Sequence, residues 1–292
     1  MALVSITEFT DPICPWAWSA EPHRLKLNWT YGGSLVWEAR MVGLAEDPEV
    51  IASRFTPEQM AGNLAMIAAR FGMPIYDGVP ERMFGSFPAC RAVVAVRLNQ
   101  PDLTHPLLRE LRKRCFSEQP VDEKEVIDSA ASAVGLDPEA LTTWLAEDST
   151  EEAFQADMAA ARDPSAAALA VKRKLAQWEG GWRYTCPSYV LRSSERESTA
   201  PGFQPYETYE TAIANLAPDL EPRPPAETVE EALRWAQSTG EGSLATVEIA
   251  ALMGREASSP TALVDDLKPE LDAAGAIEKV VGSGSFWSLT EP

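Results

Sequence analysis

Residues 9–18 read Phe9-Thr10-Asp11-Pro12-Ile13-Cys14-Pro15-Trp16-Ala17-Trp18. The chain changes character inside this run. Leu3–Phe9 is rich in Val, Ile, Thr and Phe with partial alternation, which predicts a strand over Val4–Phe9. Thr10-Asp11-Pro12 ends it. Pro15 suits the first turn of a helix, where its missing N–H costs nothing, so a helix is expected to start near Cys14. Cys14 then faces unpaired backbone N–H groups and the positive end of the helix dipole. Both favour the thiolate and pull its pKa below the free value of about 8.5, while the charge of Asp11 opposes them. Trp16 and Trp18 place large apolar surface beside the thiol, which suits a greasy ligand and equally suits ordinary packing.

Working outward, Pro22 is expected to kink the helix. Gly32-Gly33 breaks the chain, and Leu35–Met41 reads as a second strand. Thr56 to about Leu175 reads as mostly helical, with cap-and-proline starts at Thr56-Pro57-Glu58 and Asp137-Pro138-Glu139. The apolar faces of Ala89–Leu98 and Leu107–Phe116 make Cys90 and Cys115 core residues. Trp182–Leu191 resumes strand character, with a strand over Tyr189–Arg192. Pro187 is awkward there and calls for an edge, a bulge or a cis bond. Pro224-Pro225 marks a boundary linker. Beyond it, helices from Thr228, over Ala245–Met253 and over Pro260–Gly275, then a hairpin over 277–289, resemble a winged-helix arrangement. These segments divide the chain into residues 1–55 with 176–216, an insertion at 56–175, a linker at 217–227 and a tail at 228–292.

Composition narrows the function classes. With 44 acidic and 25 basic residues the formal charge is −19, a surface that repels phosphate backbones and anionic lipid, so neither nucleic acid nor membrane is an expected partner. The candidate recognition helix of the tail carries Asp265, Asp266, Glu270 and Asp272 against Lys268, whereas base and phosphate contacts call for Arg and Lys. Docking or a homodimer through the tail is the expected role. Glu8 and Asp11 interrupt the N-terminal apolar run, so a secretory signal is not expected. The location expected is cytoplasmic, where the Asn28-Trp29-Thr30 sequon has no glycosylation meaning. Two distant histidines, His23 and His105, and four scattered cysteines without a Cys-x-x-Cys pair give no metal site.

The run at residues 9–18 resembles the active-site start of the DsbA-like thioredoxin family, thiol-disulfide oxidoreductases with a helical insertion in a thioredoxin fold. Phe87-Pro88-Ala89-Cys90-Arg91-Ala92 and Leu111-Arg112 with Phe116 resemble the insertion of its cytoplasmic, FrnE-like branch. Thr185-Cys186-Pro187 resembles its cis-proline loop. The resemblance spans roughly residues 3–216 and implies an α/β thioredoxin-like fold with a large helical insertion, to which the winged-helix-like tail is added. It also implies a cis Cys186–Pro187 bond and places Cys186 against Cys14.

The family's resolving cysteine is replaced by Ala17, which rules out a dithiol cycle within this loop. Four readings follow. Cys14 acts as single nucleophile on a protein or small-molecule disulfide and is resolved by Cys186 or by an external low-molecular-weight thiol, with no cofactor. Alternatively the protein is a thiol-transferase or isomerase on a small aromatic substrate, like fold relatives that carry serine at the position of Cys14. Otherwise it is a catalytically silent adaptor, or it binds an unexpected ligand through Cys14 and Cys186. Pro15, Trp16, Trp18, Thr185 and Pro187 are the expected substrate-binding residues, and Trp16, Trp18 and Tyr184 are expected to line an apolar cleft for the partner.

Overall fold

The computed structural model describes residues 3–194, 196–256 and 258–290. The elements run β1 (Val4–Thr10), α1 (Pro15–Ser19), α2 (Glu21–Tyr31), β2 (Leu35–Met41), α3 (Pro48–Ala52), α4 (Pro57–Phe71), α5 (Phe87–Asn99), α6 (Thr104–Cys115), α7 (Lys124–Ala133), α8 (Pro138–Leu145), α9 (Asp148–Ala161) and α10 (Ala166–Leu169). Then follow β3 (Leu175–Trp178), β4 (Gly181–Tyr184), β5 (Ser188–Ser193), β6 (Arg196–Ala200), α11 (Tyr206–Leu216), α12 (Val229–Ser238), β7 (Leu244–Ala245), α13 (Thr246–Leu252), α14 (Pro260–Ala273), β8 (Ile277–Val281) and β9 (Gly284–Ser288).

The central sheet has the order β2-β1-β5-β6. The β1–β2 pair is parallel, with Thr10 opposite Met41, and β1–β5 is antiparallel, with Phe9 opposite Ser188. This register sets the end of β1 beside the start of β5 and so brings the Cys14 turn against the Thr185–Pro187 loop. The expected strands at Val4–Phe9, Leu35–Met41 and Tyr189–Arg192 all fall within this sheet, and the helices α4 to α10 occupy the middle of the chain. Thr56 and Gln59 close a reciprocal capping box at the start of α4, and Gly72 ends that helix in the left-handed region.

Several expectations are corrected. Pro22 does not kink a continuous helix; the helix stops at Ser19 and restarts at Glu21, with Pro22 in the first turn of α2, where no intrahelical bond is lost. Trp182–Leu191 is not one strand. β4 pairs with β3 in a separate two-stranded ribbon, and Thr185–Pro187 is a loop between β4 and β5. The cis bond at Cys186–Pro187 is present, so Pro187 ends a loop and does not interrupt a ladder. β3 and β6 are strands that residue pattern alone does not mark.

The tail holds three helices and a sheet of order β7-β9-β8, the arrangement expected of a winged helix. It is seated firmly on the body. Leu25 and Trp29 of α2 share a core with Leu233, Ile249, Leu267 and Trp287. Val247 and Phe286 join the main core around Trp18 and the helical insertion. The preceding segment is also docked: the Trp29 indole donates to the Pro224 carbonyl at 2.7 Å, and the Arg223 guanidinium lies 3.6 Å from the Trp29 ring.

Candidate functional site

Cys14 is the N-cap of α1 and is 6 % exposed; Cys186 is 7 % exposed. The Cys14 thiol faces the Cys186 carbonyl at 3.4 Å, although 172 positions separate the two residues. That bond has Cys14 as donor to the carbonyl, and the neighbouring Cys186 side chain is the main cause that lowers the Cys14 pKa. Burial opposes it, as does the charge of Asp11, while the backbone N–H groups of Ala17 and Trp16 assist. Cys186 moves the other way: burial, and then its contact with Cys14, push its pKa well up. The two thiols are therefore poised unequally, one toward the anion and one toward the protonated form.

Asp11 is fully buried and holds the loop in place. Its carboxylate accepts from the backbone N–H groups of Leu44 (2.8 Å) and Ile13 (3.1 Å) and from the Ser86 hydroxyl (3.0 Å) and Cys90 thiol (3.5 Å). Burial raises its pKa against these four donors. Cys90 is wholly buried in the main core, as expected.

A cleft of about 430 Å³ opens beside Cys14. Pro15 and Trp16 form one side with Ile13; Ile51, Met60, Leu64, Tyr76, Met83 and Phe84 form much of the rest. Its lining is mainly apolar, with Arg54, Asn63, Arg82 and Glu118 as the polar members. Trp16 is 38 % exposed at the mouth and packs edge-on against Phe71 and Phe203. Cys115 belongs to the core, as expected, but also lines this cleft, and burial pushes its thiol pKa well up.

Of the residues expected to bind substrate or line its cleft, Trp18, Tyr184, Thr185 and Pro187 do not line this cleft. Trp18 is fully buried; it points into the body, donates from its indole to the Pro74 carbonyl at 2.9 Å and stacks on Phe116. It lies four positions after Cys14, one turn on, where the helix face turns inward. Tyr184 stacks on Phe9 at 4.4 Å, and its hydroxyl accepts from the Ser165 N–H. Thr185 donates to the Lys174 carbonyl at 2.8 Å, which fixes the loop ahead of Cys186, and Pro187 is buried. The apolar wall contributed by residues 51–84 was missed from sequence. Its members are dispersed apolar residues of an inserted segment, and no local pattern ties them to Cys14.

Among the described residues no group of three or more His, Cys, Asp or Glu side chains could hold a metal ion, and no helix is long and apolar enough to cross a membrane.

A strand that delivers a helix-capping cysteine against a cis-proline loop, with helices inserted between, defines a thioredoxin-type thiol protein. A family model described as Thioredoxin (Thioredoxin_5) matches residues 8–167 of the 292, more than half of the chain. The protein belongs to this DsbA-like thioredoxin family. It is similar to the ClpXP adapter protein SpxH of Shouchella clausii, 29 % identical over 167 residues, 53 % of this chain and 52 % of that protein. The SpxH of Halalkalibacterium halodurans is 28 % identical, again over 53 % of each. The chain spans about half the length of the curated relatives it matches. Among solved structures, the cytosolic disulfide reductase DsbM from Pseudomonas aeruginosa aligns with a TM-score of 0.53 at 17 % identity, covering 72 % of this chain and 99 % of that one. Its structure with GSH aligns at 0.54 and 16 % identity, covering 73 % of this chain and 100 % of that one. These likenesses establish the fold.

Proposed function

We propose that the protein is a thiol-disulfide oxidoreductase that acts through Cys14 as its single activated nucleophile. The observation that supports this most is the unequal thiol pair, with Cys14 lowered by the neighbouring Cys186 side chain and Cys186 raised by burial. In the first step the Cys14 thiolate attacks a disulfide R–S–S–R′, forming Cys14–S–S–R and releasing R′–S⁻. In the second step Cys186 attacks the Cys14 sulfur. The S–R bond breaks, the Cys186 proton leaves with R–S⁻, and a Cys14–Cys186 disulfide forms. Two equivalents of a low-molecular-weight thiol reduce it again. Where such a thiol reaches Cys14–S–S–R first, it resolves the mixed disulfide directly and Cys186 acts only as hydrogen-bond donor.

Pro15 and Trp16 border the space for R, and Thr185 and Pro187 fix the loop that carries Cys186. The partner is a protein or small-molecule disulfide in the cytoplasm, and the FrnE-like branch is the proposed place within the family. The tail is proposed as a docking or dimer surface and not a nucleic-acid reader. The test maps thiols by alkylation with a slow reagent before and after mild oxidation, together with turnover of a small disulfide. Joint loss of Cys14 and Cys186 alkylation on oxidation, with turnover abolished in Cys14→Ser, is the expected result. A Cys14 that alkylates no faster than an exposed peptide thiol, with no turnover, overturns the reading.

An adaptor without catalysis is the second reading. It is favoured by Ala17 at the resolving position and by the partial match to two proteins named as ClpXP adapters. A partner capture that survives Cys14→Ser supports it.

A further inference from the structure

One wall of the cleft beside Cys14 is backed by the tail. The segment 72–76 leaves the C-terminus of α4 and supplies Ile75 and Tyr76 to the cleft. On its inner side Pro74 accepts from Trp18, one turn along the chain from Cys14, and the Tyr76 N–H donates to the Phe116 carbonyl at 2.7 Å. On its outer side lies the tip of the β8–β9 hairpin. Ile75 and Gly282 form a bridge between the two segments, and Phe286 of β9 packs against Trp18 with ring centroids 6.0 Å apart.

The seam is built from residues that have given up side chains. Gly282 has φ +55°, and a Cβ there would lie 1.8 Å from the Ile75 oxygen. A Cβ on Gly284 would lie 2.9 Å from the Pro74 Cα. From the other side, Gly72 has φ +75°, and its Cβ would meet Val247 of α13 at 2.5 Å. Real Cβ atoms do not approach backbone this closely, so any side chain at Gly282 must push the hairpin and the 72–76 segment apart. Because Ile75 and Tyr76 of that segment line the cleft, moving it changes the cleft beside Cys14.

We propose that Gly282 and Gly284 are positioning residues for the Cys14 cleft. By seating the hairpin on Pro74–Ile75, the tail sets the width of the apolar wall and so selects which apolar groups reach the thiol. This rests on reading Cys14 as the reactive group, and it makes a wing-like hairpin outside the cleft a support of its wall.

The experiment compares two reagents on the full chain, with modified peptides mapped to Cys14. Iodoacetamide is small and reports thiolate reactivity. N-phenylmaleimide carries an aromatic ring that must enter the cleft. In Gly282→Val the ratio of the maleimide rate to the iodoacetamide rate is expected to fall by about tenfold or more, within the roughly hundredfold that a misplacement near 1 Å can cost. Gly284→Ala, a milder intrusion, shifts it in the same direction by less. Gly275→Ala is the control: its φ is +68° with open space around it, so it strains the tail without touching the seam, and the ratio stays at the wild-type value. Circular dichroism and thermal melting establish that each variant is folded; should Gly282→Val not fold, Gly284→Ala decides. An unchanged ratio in the folded seam variants, or an equal change in all three, overturns the proposal. The readout needs no turnover, so a Cys14 that fails the disulfide assay while the ratio still falls refutes the catalytic reading and leaves the positioning role standing.

Discussion

Helices α2 and α1 each contribute to a buried polar region, and the two regions solve the same problem differently. Toward the tail, Glu21, Arg24, Arg109, Arg112, Glu241 and Glu248 form a continuous lattice of paired charges, all but Glu241 at 2 % exposure or less. Arg109 bonds both oxygens of Glu248 at 2.6 Å, Arg24 reaches Glu241 at 2.6 Å, and Arg112 pairs with Glu21. Burial alone would raise the Glu21 pKa, but Arg24, Arg112 and Arg109 hold it well below the carboxylate range. Toward the cleft, Cys14 is lowered by neutral donors, a thiol and two N–H groups. A carboxylate clamped by guanidinium groups is inert, because leaving the clamp costs the whole pairing. A thiolate held by neutral hydrogen bonds keeps its lone pairs available for attack. The first region fixes the tail to the body, and the second holds its thiol without a charged clamp.

The lattice should fail most dramatically. Arg109→Met leaves Glu248 buried without its bidentate partner and removes the bonds to the Glu241 and Ser243 carbonyls. A loss of about 3–5 kcal/mol in urea unfolding is expected. Tail and body should still unfold together in the wild type, since they share a core.

The face of α2 beside the lattice carries the opposite case, an unpaired base. His23 lies among Phe203, Tyr206 and Tyr209, and its Nδ1 has no hydrogen-bond partner among the described residues. Burial, with help from Lys26 and against Glu207, lowers its pKa to about 4. The unfolded chain binds this proton from pH 6.5 downward and the folded chain does not. Stability is therefore complete above pH 6.5 and falls progressively down to pH 4, by about 3 kcal/mol at most. His23→Phe should flatten that part of the pH profile; urea midpoints at pH 7 and pH 4.5 in both proteins measure it.

At the cleft the expected effect is smaller. Cys186→Ala removes the principal donor to Cys14, raises the Cys14 pKa and slows its alkylation at neutral pH by about tenfold. Cys186→Ser keeps a donor and should recover most of the rate. A null result is expected of the tail: Lys268 is held by Asp272 and Glu278, and Arg255 by Glu270. The full chain should show no salt-dependent binding of duplex DNA, and such binding would break the view of the tail as a structural and docking unit.

Much of the sheet was legible because each short strand stands beside a strong punctuator: Pro12 after β1, Gly32-Gly33 before β2 and the Cys186-Pro187 loop before β5. β3 and β6 were not, because Ala176 and Gln177, or Glu197 and Ser198, carry no strand signal and pair only because partners are delivered to them. The Cys14 turn was readable from chemistry local to ten residues. Which tryptophan faces the cleft was not, since that depends on the inward rotation of α1 between Trp16 and Trp18. The pairing of the tail with α2 and α6 was equally hidden. Glu241 and Glu248 look like ordinary surface acids until Arg24 and Arg109 are seen to reach them.

The pairing of β1 with both a near and a distant strand has a consequence during synthesis. β1 finds its parallel neighbour β2 as soon as residue 41 leaves the ribosome, but its other edge waits for β5, with Ser5 opposite Arg192. At ordinary elongation rates the intervening chain takes about ten to thirty seconds to appear. For that interval the edge of β1, carrying Val4, Ile6 and Phe9, is an open template for another nascent chain. The inserted helices emerge within that interval and can begin to pack on one another before β5 arrives. A nascent chain halted before residue 188 is thus the form most prone to aggregate.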